Sequence, residues 1–342
     1  MDQTNLAKPA GSGGPATAVT ADDYRALTAG AGFRAMPERM LSRVTGADRI
    51  AFFQGMCSAD VKGASVGAVV AALLLTEHAH VIADSYAWIA ADALLIDIEK
   101  SLWPPAREHL DKLLVADDVE FDDASTPALI EIAGSKARDV AGAVTGNVAT
   151  TLDEWRHGVS GDLLVGRIPR AGIDAFTIAA PRARVDGIMT SLRQLGGGTR
   201  EVSEAAIDVV RIENGLARVG IDTSQRTIAL EARLDRAIAP GKGCYVGQET
   251  IERATARGGL KRRLYGLKIE ASRAPARGSA VMLAGREVGR VGSSAVSPRL
   301  GALALSILHH SAWQPGTRVV IKDQDGETSA IVSDLPFGAG AS

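Results

Sequence analysis

Apolar and polar positions alternate along this chain in two different rhythms, and the change between them falls near Arg263. Before it, helical and strand periods interleave. Asp22 to Ala31 reads as a helix opened by a carboxylate at its cap, and Arg34 to Val44 as a strand or a connection. Ala47-Asp48-Arg49 opens a second helix with Ile50 and Phe53 on one face, and Cys57 if the helix runs that far. Ala68 to Thr76 is a buried strand or a short core helix, which periodicity alone does not separate. His80–Ile89 and Ala93–Ile98 read as paired strands. Trp103 to Leu114 is an amphipathic helix carrying Leu110, Leu113 and Leu114. Val119–Asp122, Ala128–Ile132, Leu163–Ile168 and Ala175–Ala179 are further short strands. Arg182 to Leu195 is a helix stopped by three successive glycines. The order lacks the regular beat of a doubly wound sheet, so the class is α+β.

After Arg263 the pattern is β throughout. Leu264–Ile269, Ala280–Leu283, Glu287–Ser293, Ala302–Ile307, Arg318–Ile321 and Ser329–Val332 are separated by Gly, Pro and Asp. Gly285 marks a hairpin turn. Many short strands at close spacing predict a small β-barrel. The expected organisation is a disordered tail over 1–21, an α+β region over 22–262 whose two subdomains meet at about 125–150, a barrel over 263–336 and a frayed tail over 337–342.

Composition narrows the function classes. Of 342 residues 46% are hydrophobic but only 4% aromatic, so the core is mainly aliphatic. The formal charge of −2 gives no global attraction to nucleic acid or acidic lipid, and no aromatic RNA-binding motif stands out. Two cysteines, Cys57 and Cys244, argue against a disulfide scaffold, and neither has a second Cys or a His at zinc-ligand spacing. The apolar run Val66–Leu75 is too short to span a bilayer, and the first residues form neither a secretory signal nor a transit peptide. A cytoplasmic monomer is expected.

The segment from Val210 to Arg263 is the densest in chemistry. Leu230, Leu234 and Ile238 recur every four residues and predict a helix with one buried face. Pro240-Gly241 ends it, a glycine-rich loop follows, and Gln248 to Ala256 reads as a second helix on which Glu249 and Arg253 can pair. Cys244 thus precedes a helix N-terminus and stands two residues from Lys242, a setting that favours thiolate. The alternative is a tight glycine turn with a packed cysteine and a surface lysine. Gly-Lys followed by Gly-Cys is not a P-loop. Arg253, Arg257, Lys261, Arg262 and Arg263 form a basic cluster suited to folate glutamates, a partner protein or RNA, or simply to a solvated face. Arg211 and Glu213 are candidates either to line a channel or to form a structural ion pair.

Lys242-Gly-Cys-Tyr-Val-Gly-Gln-Glu249 resembles the signature of the YgfZ family, folate-binding relatives of the glycine-cleavage T-protein. Arg253, Arg257-Gly258, Lys261-Arg262-Arg263, Arg211-Ile-Glu-Asn-Gly215, Gly220-Ile-Asp222 and Gly46-Ala-Asp-Arg49 are similar to further elements of that family. The resemblance implies a T-protein-like fold, with ferredoxin-like α+β halves around a central channel and a C-terminal barrel. It implies tetrahydrofolate or a derivative as ligand, and a role in assembling or maintaining iron–sulfur proteins that reaches tRNA modification indirectly. Cys244 and Lys242 then become the chemical residues, with Arg211, Glu213, Tyr245, Gln248, Glu249, Arg253, Arg257 and Asp84 as folate contacts. Two departures bear on activity. Ile173 stands where T-proteins carry the pterin-holding Glu of Gly-Glu-Asp-Gly, and Asp84 is the one loose counterpart of their paired Asp motif. The competing expectations are a tetrahydrofolate-dependent one-carbon transferase and a docking module without chemistry.

Overall fold

Thr20 starts the first helix, α1 (Ala21–Ala29), with a capping box: its hydroxyl accepts from the Asp23 amide while the Asp23 carboxylate accepts from the Thr20 amide. This computed structural model describes residues 19–123, 127–257, 259–324 and 326–338. The chain continues through β1 (Ala31–Ala35), β2 (Arg39–Thr45), α2 (Arg49–Met56), β3 (Val69–Leu75), β4 (Val81–Ile89), β5 (Leu94–Glu99), α3 (Trp103–Leu113), β6 (Glu120–Asp122) and β7 (Ala128–Ala133). Then come α4 (Ala137–Thr145), α5 (Asn147–Thr151), β8 (Arg156–Ser160), β9 (Leu163–Arg167), β10 (Ala175–Ala180), α6 (Val185–Gln194), β11 (Thr199–Glu201), α7 (Glu204–Glu213) and α8 (Gln248–Arg257).

These strands make two sheets, ordered β3-β4-β5-β2-β6 and β11-β1-β7-β10-β9-β8. Each buries one face under helices. Phe52 and Phe53 of α2 and Trp103 and Leu110 of α3 cover the first, with Ile96 and Ile98 beneath them. Val140 and Ala141 of α4 and Ile188, Met189 and Leu192 of α6 cover the second, over Ile130, Ile132 and Phe176. The other faces meet through a cluster that joins Leu41, Tyr86, Trp88 and Leu95 of the first sheet to Leu129 and Ala179 of the second. Gly166 lets the sheets approach there, because a Cβ at that position would sit 2.5 Å from the Trp88 ring.

The last strands, β12 (Arg262–Ile269), β13 (Ala280–Leu283), β14 (Arg286–Ser297), β15 (Gly301–His309), β16 (Arg318–Asp323) and β17 (Gly326–Ser333), form a closed barrel in the order β12-β15-β14-β13-β16-β17. Its interior holds Leu267, Val281, Ala304, Ile321 and Val332. The α+β body and the barrel together realise the expected T-protein-like architecture.

Some local expectations need correcting. Of the two readings open for residues 68–76 the strand is the one found, as β3 (Val69–Leu75), whose Leu73, Leu74 and Leu75 are all buried. The helix expected through Leu230, Leu234 and Ile238 is absent: the segment is a run of turns with one 3₁₀ stretch, Asp235–Ala237. Arg233 in its middle has φ +55°, which no α-helix accommodates. Leu113 was expected on the buried face of α3 and is 39% exposed. The chain end is not frayed as far as Phe337. That ring is buried against Gly266, and its amide donates to the Glu213 carbonyl at 2.9 Å. The expected N-terminal tail lies outside the described residues up to position 18, and the helix begins at Ala21.

Candidate functional site

Charges set in largely apolar strands meet between the sheets. Arg34 of β1, Arg39 of β2, Asp84 of β4, Glu99 of β5 and Glu131 of β7 all line one cavity of about 100 Å³. Arg170, from the loop between β9 and β10, joins them. So do Glu204, Asp208 and Arg211, one face of α7, and Arg218, Leu234 and Arg236 from the connection beyond it. Buried charges persist only when paired, and most of these are. Arg34 donates to Glu131 at 2.9 Å and to Glu38 at 2.8 Å. Arg218 bridges Glu99 at 2.8 Å and Glu204 at 2.7 Å. Arg211 holds Asp208 at 2.7 Å and Asp222 at 3.3 Å. Behind the wall, fully buried Asp97 accepts from Arg39 at 2.7 Å and also from Arg170. Burial pushes the Asp97 carboxyl up, but the two guanidiniums outweigh it and hold it below the ordinary range.

Asp84 differs from the rest. No side chain among the described residues donates to its carboxylate. Burial raises its pKa; Arg39 opposes the rise and Glu99 adds to it. Tyr86, two residues on, presents its ring to Arg170, whose guanidinium carbon lies 4.3 Å from the centroid. The ring stacks on Trp155 behind it, with centroids 6.0 Å apart. The cavity therefore offers one uncommitted acid and several fixed guanidiniums, one of them laid over an aromatic ring.

Of the residues expected from the resemblance to contact folate, Asp84 and Arg211 both line this cavity. Glu213 does not line it. Two residues along a helix point about 200° apart, so Glu213 faces away from the Arg211 side and accepts from the Tyr24 hydroxyl at 2.9 Å, from Arg299 at 2.9 Å and from Ser297. It locks α1, α7 and the barrel together. Arg211 and Glu213 are not an ion pair with each other.

The signature loop lies elsewhere, packed against the end of α2 and the β3–β4 turn. The Val246 amide donates to the Gly55 carbonyl at 3.2 Å, and Gly247 (φ +88°) leaves no room for a Cβ beside the Thr76 carbonyl. Lys242 is buried, and its ammonium donates to the carbonyls of Gln54 and Cys57 at 2.6 Å and of Ala59 at 2.8 Å. The lysine expected beside the Cys244 thiol is thus spent on the end of α2, where its nearest thiol is Cys57. Burial lowers its pKa, partly offset by Cys57 and Asp60. Cys244 is exposed, while Cys57 is 1% exposed and burial pushes its thiol up against the pull of Lys242. Tyr245 is half-buried 4.9 Å from the Lys242 ammonium, and burial raises its phenol, with Glu252 adding to the rise. Gln248 accepts from the Tyr245 amide at 3.3 Å and opens α8. Glu249 and Arg253 pair on the exposed face of α8 at 3.7 Å. None of Lys242, Cys244, Tyr245, Gln248, Glu249 or Arg253 borders the cavity. The Arg257 side chain lies outside the described residues. Arg262, at the start of the barrel, is held by Glu231 at 3.1 Å.

Residues 13–242 match the family model of the GCVT N-terminal domain, and residues 262–338 that of the glycine cleavage T-protein C-terminal barrel domain. The chain belongs to the glycine-cleavage T-protein family. Among curated relatives of this T-protein-family chain is a putative chloroplastic transferase, At1g60990, of Arabidopsis thaliana. The two are 27% identical over 86% of this chain and 68% of that protein. The tRNA-modifying protein YgfZ of Yersinia pseudotuberculosis is 26% identical over 79% of this chain and 76% of its own length. The crystal structure of aminomethyltransferase T from Bartonella henselae superposes with a TM-score of 0.83 at 22% identity, covering 92% of this chain and 88% of that one. That likeness establishes the T-protein fold. Among the described residues no helix is long and apolar enough to cross a membrane, and no cluster of His, Cys, Asp or Glu is arranged to hold a metal.

The lining residues that sequence reasoning missed include Arg34, Glu38, Arg39, Tyr86, Glu99, Glu131, Arg170, Glu204, Asp208, Arg218 and Arg236. A signal for several of them exists: AGFRA, VIADSY and ALIEIA each carry a single charge inside an apolar strand, and LLIDIE carries two. Such a charge has to find partners across the sheet.

Proposed function

We propose that this protein is a folate-binding accessory factor for assembling or maintaining iron–sulfur proteins, with an indirect effect on tRNA modification. The observation that carries the reading is a charged cavity with one uncommitted carboxylate, followed in the chain by an exposed thiol in the Lys-Gly-Cys-Tyr-Val-Gly-Gln-Glu loop. A pterin head group suits that cavity. Asp84 can accept from its ring and amino N–H groups, and Arg39, Arg170 and Arg211 set the surrounding charge. Its volume is below the roughly 300–1,000 Å³ of a pocket that encloses a drug-sized molecule, so it takes up the ring at most and the glutamate tail stays outside. Tetrahydrofolate, when bound, supplies ring nitrogens that carry one-carbon units. The chain's own residues bind and orient the ring, and Cys244 meets the client protein. Clients, folate and no nucleic acid are the partners this reading requires, in a cytoplasmic monomer.

Titration of the purified chain with tetrahydrofolate, followed by thermal shift, tests the ligand. Binding to the native state alone stabilises it by about 2.7 kcal/mol at one hundred times Kd. No shift at millimolar ligand overturns the folate reading. Loss of iron–sulfur enzyme activity in cells lacking the protein, restored by wild type and not by Cys244→Ser, tests the accessory role.

A one-carbon transferase is the second reading, and Asp84 in the cavity favours it. Ile173 weighs against it, because it packs beside α1 and α7 and brings no carboxylate. Formation of 5,10-methylenetetrahydrofolate from an aminomethyl donor would decide for the transferase.

A further inference from the structure

Arg170 carries the largest unmet hydrogen-bonding demand in the cavity. Its side chain is only 10% exposed, yet its Nε and Nη1 have no partner. Its Nη2 is spent on Asp97 and on the Thr177 hydroxyl. Three N–H bonds, one on Nε and two on Nη1, are therefore buried without an acceptor. Native proteins rarely leave buried donors so, and each such group calls for an explanation.

No carboxylate already paired can relax to satisfy them cheaply, and uncommitted Asp84 makes no hydrogen bond or ion pair with Arg170 among the described residues. Glu38 and Glu131 are held by Arg34, Glu99 and Glu204 by Arg218, and Asp208 by Arg211. Asp97 is shared with Arg39. The guanidinium itself is fixed in place. Asp97 grips one end, the Tyr86 ring lies 4.3 Å from its carbon, and Trp155 backs that ring. The loop beneath is equally constrained: the Arg170 amide donates to the Ile168 carbonyl, and Gly172 (φ +80°) abuts Asn214. A rigid, buried donor set borders a cavity and lacks an acceptor, so the acceptor comes with the ligand.

Charge decides its kind. By formal charge the lining sets six arginines (Arg34, Arg39, Arg170, Arg211, Arg218, Arg236) against six acids (Glu38, Asp84, Glu99, Glu131, Glu204, Asp208), and Asp97 and Asp222 stand behind it. A neutral acceptor adds no charge to this crowd of acids; a further carboxylate would. In a folate the acidic groups are on the tail, outside a cavity of about 100 Å³, and the ring's exocyclic oxygen is the 4-oxo group. We infer that Arg170 is a specificity residue that reads the ring carbonyl of the ligand, so that the site selects 4-oxo over 4-amino pteridines. This rests on the folate reading above.

Folic acid and aminopterin differ only in carrying oxygen or an amino group at that position, which makes them the probes. Each is titrated calorimetrically into the full chain and into Arg170→Met, Arg170→Gln and Arg170→Lys. Wild type should prefer folic acid by at least ~10-fold, about 1.4 kcal/mol. Arg170→Met and Arg170→Gln should bring the two affinities within ~3-fold. Arg170→Lys keeps the charge beside Asp97 and should hold an intermediate preference. The ratio of two ligands on one preparation cancels any loss of folded protein, so a purely structural role for Arg170 leaves it unchanged. If wild type binds both but the ratio survives in the Met and Gln variants, the inference is wrong while the folate reading stands. A wild-type preference for aminopterin also overturns it. If wild type binds neither compound nor tetrahydrofolate, the folate reading fails and takes the inference with it.

Discussion

Replacing Lys242 with methionine separates a structural lysine from a chemical one. The aliphatic stem is largely preserved and the ammonium is removed. Three carbonyls lose a donor, those of Gln54, Cys57 and Ala59. Ala59 keeps the Val61 amide at 3.2 Å. The carbonyls of Gln54 and Cys57, where α2 ends, lose the ammonium that satisfies them. A buried acceptor left unpaired costs about 1–3 kcal/mol, so two cost roughly 2–6. Removing a desolvated charge returns part of this, consistent with the lowered pKa of Lys242. A net loss of about 2–4 kcal/mol is expected, and at roughly 2–4 °C per kcal/mol for larger domains the melting temperature should fall by about 4–16 °C. Circular dichroism melts and urea titrations at neutral pH read this directly. The Cys244 thiol should alkylate in the variant at the wild-type rate, because the ammonium is committed to α2. A variant that melts with wild type but alkylates more slowly would refute this reasoning and return Lys242 to a role beside the thiol.

Asp84→Asn should raise the melting temperature by a few degrees at pH 7 while weakening tetrahydrofolate binding. The raised folded pKa of Asp84 means its ionised form destabilises the native state above that pKa, so the gain should vanish as pH falls into the ordinary carboxylate range; melts from pH 7 to 4 check the sign. Exposed Cys244 should react with iodoacetamide far faster than buried Cys57, and Cys244→Ser should melt within about 1 °C of wild type, as surface changes usually do; mass spectrometry of the modified peptides reads the first. Phe337→Ala should cost about 3–5 kcal/mol by urea titration, since the ring is buried against the barrel and α7.

How much of this was legible follows from how each part is built. The barrel strands announce themselves because short apolar runs are bounded by Gly, Pro and Asp, as at the Ala284-Gly285 turn where both residues take positive φ. The helices α4 and α5 escaped, because their buried faces are made of Ala, Val and Thr, too small to set a strong period. The four-residue spacing of Leu230, Leu234 and Ile238 misled for a different reason. Leu234 borders the cavity and the other two are only half-buried, so tertiary contacts rather than helical geometry fix their spacing. The signature loop stood out in the sequence, whereas the cavity did not. Its residues come a few at a time from β1, β2, β4, β5, β7, a loop, α7 and the connection beyond it, and only the folded chain assembles them.

Helix α7 ties that cavity to the barrel. Arg211 faces the cavity, yet its guanidinium also donates to Ser293 of β14, and Asp222 completes the joint by accepting from the Ser293 amide at 2.6 Å and hydroxyl at 2.8 Å. Gly292 makes room for that carboxylate, since a Cβ there would stand 2.3 Å from it. Occupancy of the cavity and seating of the barrel are therefore thermodynamically linked: whatever tightens one through Arg211 must tighten the other by the same factor. Amide exchange along β14 becomes a remote gauge of what sits between the sheets, and tetrahydrofolate should slow it.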